Sequence, residues 1–253
     1  MNLADRVRDN FNGMLVIGDV HSDYESLLSA YHHAETHNLF FMSLGDLVDR
    51  GPFPFETVSK MSELMKAGKA GLTIGNHDDK FHRFYFGSKV GLSYDSRRTL
   101  ADVGPDRQQE FLMMYSNIIN TPFYSSIFHL FDDIILVHAA SHPSMWDSTK
   151  KFNSSARSRA LYGETNGELH SDGFPVRLYT WIDEIPSEKI VIVGHDRKPI
   201  DNVAITCPLV KINSNGGKAI FIDTGCSKGG FLTGVVIKHN KKQFKIDYYV
   251  EFK

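Results

Sequence analysis

The chain is poor in cysteine, with Cys207 and Cys226 as the two thiols in 253 residues. So sparse a pair builds no disulfide scaffold and fits no zinc module, so the expectation is two reduced, largely structural thiols in a cytoplasmic protein. Long apolar runs are missing too. No window approaches the roughly 18 uninterrupted apolar residues of a membrane span, and the N-terminal "MNLADRVRDNFNG" lacks the apolar core of a signal peptide. Charge of one sign is also scarce, the formal net charge being −2. That balance gives no general attraction to nucleic acid or anionic lipid. Neither a membrane nor a stably bound nucleic acid is expected as a partner, and a phosphate must be held by local groups. No repeat, low-complexity tract or linker interrupts the chain, which reads as a single domain over residues 1–253.

The sequence does contain a succession of short apolar runs that read as buried strands: "MLVIG" (14–18), "LFFMSLG" (39–45), "GLTIG" (71–75), "DIILV" (133–137), "KIVIVG" (189–194), "AIFID" (219–223), "FLTGVVIK" (231–238) and "FKIDYYVEF" (244–252). Most lack strict alternation, as strands covered on both faces do. The last alternates more clearly and is placed near an edge. Between them lie helix-like segments. "SDYESLLSAYHHAETH" opens on Ser22 or Asp23 as N-cap, "PFETVSKMSELMKAG" runs from Pro54 to Gly68, and "PDRQQEFLMMYSNII" covers 105–119. Strand-helix alternation early and strand succession late give an α/β class with a mixed sheet system.

The chemistry lies at the carboxyl ends of these runs. Six of them hand over to Asp19 and His21, to Asp46 with Asp49 and Arg50 behind it, to Asn76 and His77, to His138, to His195 and to Asp223. Taken singly, each is a capped turn or a core histidine. Recurring in order, they can converge, because open α/β sheets bind ligands at the carboxyl ends of their strands. Carboxylate, imidazole and amide without thiolate suit Mn²⁺, Fe²⁺ or Zn²⁺, while Ca²⁺ prefers oxygen alone and the imidazoles disfavour Mg²⁺. There are more ligands than one ion needs, so two ions bridged by one carboxylate are expected. Such a pair, roughly 3.5–4 Å apart, clamps an in-line phosphoryl displacement.

"GDVH", "GDLVDRG", "GNHD", "HAA", "GH" and "DTG", in that order over residues 18–225, resemble the phosphoprotein phosphatase branch of the calcineurin-like metallophosphoesterases. "LYGETNGELHSDGFPVRLYTWIDE" and "IDTGCSKGGFLTGV" are similar to two bacterial groups within it: the phosphatase module of polynucleotide kinase-phosphatase and small bis(5′-nucleosyl)-tetraphosphatase-like proteins. The resemblance implies two packed mixed β-sheets flanked by helices, a four-layer sandwich with the site at one edge. It implies two divalent ions, Mn²⁺ first, with Fe²⁺, Zn²⁺ or Mg²⁺ as alternatives. Asp19 and His21 bind one, Asn76, His138 and His195 the other, and Asp46 bridges. A metal-bound hydroxide is the implied nucleophile. Arg50 clamps the phosphate, and His77, oriented by Asp49, protonates the leaving oxygen. Asp223 either bonds a ligating histidine or ligates directly. Arg177 is the candidate second phosphate-binding arginine, with Arg157 and Arg159 behind it.

The implied activity is hydrolysis of phosphate monoesters, as by serine/threonine phosphatases. The alternative is symmetrical cleavage of diadenosine tetraphosphate between its central phosphates. The substrate is thus a phosphoprotein, nucleotide or dinucleoside polyphosphate. A catalytically dead scaffold is disfavoured, because every ligand position is filled. Departures from the family are Ser22 and Ala140 where glycine is usual, and Asp78 where many protein phosphatases have glutamate. His32, His33 and His37 read as surface residues and Asp132–Asp133 as a turn. "FHRFYF" (81–86) reads as a packed loop, and 87–100, with Lys89, Arg97 and Arg98, as a lid or a solvated loop.

Overall fold

The apolar runs become strands because each is too short for a helix and is rich in β-branched and aromatic residues. The computed structural model describes residues 2–121, 125–171, 173, 175–199 and 202–253. In chain order its elements are α1 (Leu3–Asn10), β1 (Gly13–Ile17), α2 (Tyr24–Thr36), β2 (Leu39–Ser43), α3 (Pro54–Lys66), β3 (Ala70–Thr73), α4 (Asn76–Tyr85), α5 (Tyr94–Val103), α6 (Gln108–Ile119), β4 (Ser125–Ser126), β5 (Phe128–Phe131), β6 (Ile134–Val137), α7 (Ser154–Tyr162), β7 (Glu164–Leu169), β8 (Pro175–Leu178), β9 (Ile190–Val193), β10 (Leu209–Ile212), β11 (Lys218–Phe221), β12 (Leu232–His239) and β13 (Phe244–Phe252).

The first sheet runs β13-β12-β1-β2-β3-β4 and the second β10-β11-β9-β6-β5, while β7 and β8 form a separate hairpin. β1, β2 and β3 are mutually parallel, as are β6, β9 and β11. Successive side chains leave a strand on opposite faces. Met14, Val16, Phe40 and Met42 therefore meet Ile134, Leu136, Ile192 and Ile220 between the sheets. Their neighbours Leu15, Ile17, Phe41 and Leu72 pack under α2, α3 and α6. On the far side Ile135, Val137, Val191 and Val193 cover Trp181, Met145 and Ala160. Three apolar interfaces make four layers, and strands apolar on both faces explain the missing alternation. β13 alternates because it lies at the edge of the first sheet.

Three expectations change. Residues 81–85 belong to α4 rather than a loop: Phe81 is buried against Phe111 and Tyr115, Phe84 and Tyr85 pack against the same core, and Phe86, at the helix end, is exposed. Residues 94–103 are α5, capped by Ser93 accepting from the Ser96 amide. His33 is half-buried, with its Nε2 3.0 Å from the Tyr248 hydroxyl, whereas His32 and His37 are exposed. The thiols also divide. Cys226 is buried and donates to Asp23 Oδ2 at 3.3 Å, while Cys207 is exposed. No helix among the described residues is long and apolar enough to cross a membrane.

Candidate metal centre

Because the central strands of each sheet are parallel, their carboxyl ends share one edge of the sandwich. Asp19, Asp46 and Asn76 come after β1, β2 and β3 there. His138, His195 and Asp223 come after β6, β9 and β11. The turns that aim these groups are strained. His21, Asp46, Asp49, Arg50 and His195 have φ of 48°, 49°, 70°, 70° and 64°. Such left-handed backbone costs a non-glycine residue about 1–2 kcal/mol and persists only where its surroundings impose it. Here the amides of Val20 and His21 both donate to Asp46 O, at 3.2 and 2.9 Å. Buried Asp78 accepts from the amides of Asp46, Leu47 and Gly75 at 2.8, 3.0 and 2.9 Å, and from the Tyr115 hydroxyl. Glycine is required where backbone meets carboxylate: a Cβ at Gly75 would lie 2.2 Å from Asp46 Oδ1, and one at Gly194 2.2 Å from Asp19 Oδ1.

Two clusters result, Asp19–His21–Asp46 and Asp46–His138–His195, and Asp46 belongs to both. Their tautomers are set from behind. His21 Nδ1 donates to Val48 O and His138 Nδ1 to Leu44 O, both at 2.8 Å, which turns Nε2 of each ring toward the site. His21 Nε2 lies 3.6 Å from Asp19 Oδ2 and 3.8 Å from Asp46 Oδ2. His138 Nε2 lies 3.5 Å from Asp46 Oδ1, 3.1 Å from Asn76 Oδ1 and 3.0 Å from His195 Nδ1.

At His138 an acceptor nitrogen thus faces the acceptor oxygens of Asp46 and Asn76, while His21 Nε2 is met by Arg50. Asp19 Oδ2 and His195 Nε2 are buried without any hydrogen-bond partner. Burial, Asp223 and Asp46 push the Asp19 carboxyl well above the usual range. Burial, Arg50 and His77 hold His21 down at about 3, against the pull of Asp46. Neutral imidazoles and crowded carboxylates with their lone pairs turned inward are costly by themselves. The same donor set fits divalent cations.

Beside the clusters, His77 Nδ1 sits 2.5 Å from Asp49 Oδ2. Burial opposes charging this ring, but Asp46 and Asp49 outweigh it and raise its pKa above 6.5. Asp49 is itself buried and accepts from Ser96 Oγ at 2.9 Å and Thr99 Oγ1 at 2.7 Å. Arg50 Nη1 lies 2.6 Å from His21 Nε2. Arg177 lines the adjoining cavity with its Nε 3.7 Å from Asp196 Oδ2. Arg157 and Arg159 are instead paired with Asp79 and with Glu164 and Glu184. Asp223 accepts from the Gly225 amide at 3.0 Å rather than from a histidine ring.

Ser96, Thr99, Arg197 and Lys228 stand around the site without having been singled out in the sequence, and Asp78, noted there only as a departure from glutamate, supports it. Asp78 was within reach, as the last residue of "GNHD". Ser96 and Thr99 carry no local signal, because helix packing brings α5 to Asp49.

A sequence model of the calcineurin-like phosphoesterases matches residues 14–222. A bis(5′-nucleosyl)-tetraphosphatase PrpE, designated asymmetrical, from Halalkalibacterium halodurans is 27% identical over 234 residues, covering 87% of this chain and 88% of its own. The protein of the same designation from Anoxybacillus flavithermus is 27% identical over 241 residues, with coverage of 87% and 88%. A serine/threonine phosphatase from Saccharomyces cerevisiae superposes with a TM-score of 0.55 at 13% identity, covering 99% of this chain and 86% of its own. At that identity the likeness concerns the fold alone.

Proposed function

Because the chain belongs to the calcineurin-like phosphoesterases, we propose that it uses divalent metals at the Asp46-centred site to hydrolyse a phosphoanhydride of a dinucleoside tetraphosphate. The observation that carries the reaction class is the pair of Asp/His clusters sharing one carboxylate. Asp19 and His21 would hold one cation, Asn76, His138 and His195 the other, and Asp46 both. When bound, two such ions polarise the phosphoryl oxygens and activate water at neutral pH.

The chain's own groups do the rest. His21 and His138 present lone pairs because Val48 O and Leu44 O take their Nδ1 protons. Arg50 would be free to face the phosphate, because His21 would use for a cation the Nε2 lone pair that Arg50 Nη1 now contacts. His77 gives its Nδ1 proton to the bond with Asp49 and holds a second proton at Nε2 for the leaving oxygen. The water oxygen forms the new P–O bond as the old one breaks.

The names of the relatives favour the tetraphosphate. They also favour asymmetrical cleavage, to a nucleoside triphosphate and a monophosphate, over the symmetrical cut expected from the sequence. A second reading, a phosphoserine or phosphothreonine monoester, is favoured by the His77–Asp49 pair. An alkoxide leaving group is strongly basic and needs a proton, whereas a polyphosphate leaves as a weak base. Metal-stripped protein given Mn²⁺, Fe²⁺, Zn²⁺ or Mg²⁺ and assayed on diadenosine tetraphosphate, a phosphoserine peptide and p-nitrophenyl phosphate tests both. ATP and AMP should appear from the tetraphosphate, and Asp46→Asn should abolish all turnover. Turnover of the monoesters alone would sink the first reading.

We read residues 1–253 as one domain, since β12 and β13, beyond the matched 14–222, pair into the sheet beside β1.

A further inference from the structure

A cavity of about 450 Å³ opens from the Arg50, His195 and Asp223 side of the metal centre. The cations around it are not equivalent. Arg177 is near Asp196, and outside the cavity Arg157 and Arg159 are neutralised by acidic partners. Arg197, Lys198 and Lys228 line the cavity with no ion pair among the described residues, and of these Arg197 and Lys228 lie beside Gly225 and Arg50.

Arg197 lies flat across Gly225, where a Cβ would come within 2.5 Å of its Nε and 3.0 Å of its Cζ. That Nε is buried and has no hydrogen-bond partner. Lys228 sits in the short turn Cys226–Lys228, where burial, Arg50 and Arg197 lower its pKa against the opposing pull of Asp223 and Asp95. Three cations therefore gather on this side of the metal centre: Arg50 against His21, Arg197 over Gly225 and Lys228 beside them. Like charges held together repel one another; Asp223, which lines the same cavity, offsets part of that repulsion, and the remaining positive charge favours an added anion. A single phosphate on the metals is served by Arg50. The other two groups are in surplus for it.

We propose that Arg197 and Lys228 form a subsite for a phosphate beyond the reacting one, so that the enzyme selects linear polyphosphate esters over single phosphates. The proposal rests on the metal centre being a phosphoesterase site. Arg197 forks onto phosphate oxygens and Lys228 supplies a point charge at the rim. Both act on binding, not on the bond that breaks.

The test compares the wild type with Arg197→Met, Lys228→Met and the double variant. Calorimetry on metal-free protein measures inorganic tripolyphosphate against orthophosphate, and kinetics with Mn²⁺ compare diadenosine tetraphosphate with p-nitrophenyl phosphate. Wild type should bind tripolyphosphate about tenfold or more tighter than orthophosphate, a preference the double variant should lose, with KM for the tetraphosphate rising by a similar factor. A preference unchanged in the double variant, or an equal loss on both substrates, overturns the subsite. Lys228→Gln, at an exposed position, serves alone if the double variant does not fold. The two readings separate cleanly. Monoester-only turnover with a tripolyphosphate preference that the variants abolish removes the tetraphosphatase and keeps the subsite. Tetraphosphate turnover with an unchanged preference does the reverse.

Discussion

Ser22 shows how much a single backbone angle costs at this site. It occupies φ 60°, is buried, and its hydroxyl has no partner. The family's usual glycine removes both penalties and adds back some unfolded-chain entropy. Ser22→Gly should therefore stabilise the fold by about 1 kcal/mol, read as a higher urea midpoint at unchanged activity. Asp49 makes a different point. Asp46 and the Asp49 carboxylate raise the His77 pKa against the effect of burial, and the proposed acid role needs the protonated ring. Removing one charge lowers the pKa, so in Asp49→Asn the alkaline limb of kcat should move to lower pH. Substrates with alkoxide leaving groups should slow more than p-nitrophenyl phosphate. An unmoved limb would detach His77 from the titration. Neither residue's partners are visible in the local sequence. The candidate ligand residues themselves were, because each follows closely on an apolar run.

At the scale of elements, α4 and α5 carry the main departure from the sequence reading. Their aromatic and polar residues look like loop composition, yet Phe81 belongs to the largest core and α5 lies against the acid pair. Tertiary packing overrides weak local propensity here. α5 is thus a brace, and Thr99 is its pin. Thr99→Val keeps the shape but deprives buried Asp49 of a charge-assisted hydrogen bond, which should cost about 1.5–3 kcal/mol of unfolding free energy. Denaturant melts of the variant check it, and a loss below about 0.5 kcal/mol would mean that α5 does not brace the acid pair. The long helices α2 and α3 were legible because their apolar spacing, Asp23 cap and Pro54 start agree with one another.

Across the whole molecule, the candidate ligands come from both sheets: Asp19, His21, Asp46 and Asn76 from the first, His138 and His195 from the second. Divalent ions bound there would cross-link the sandwich and relieve the crowding of Asp19, Asp46 and Asp223. Metal should accordingly raise the melting temperature, corresponding to about 2.7 kcal/mol at a hundredfold excess over Kd. Calorimetric scans of stripped and reloaded protein measure this, and Asp46→Asn should blunt the gain. The chain's motifs carried the family resemblance that implied the reaction class and the two-sheet architecture, and the sequence by itself determined the α/β class and the order of the candidate ligands. These depend on short-range facts, namely which residue succeeds each apolar run and how long each run is. Only the tertiary structure decided that Asp78 and α5 support the site, that Arg157 and Arg159 are taken up in ion pairs, and that Arg197 and Lys228 are left facing the cavity. A charge is neutralised or free according to its neighbours in space, and chain order does not encode those neighbours locally.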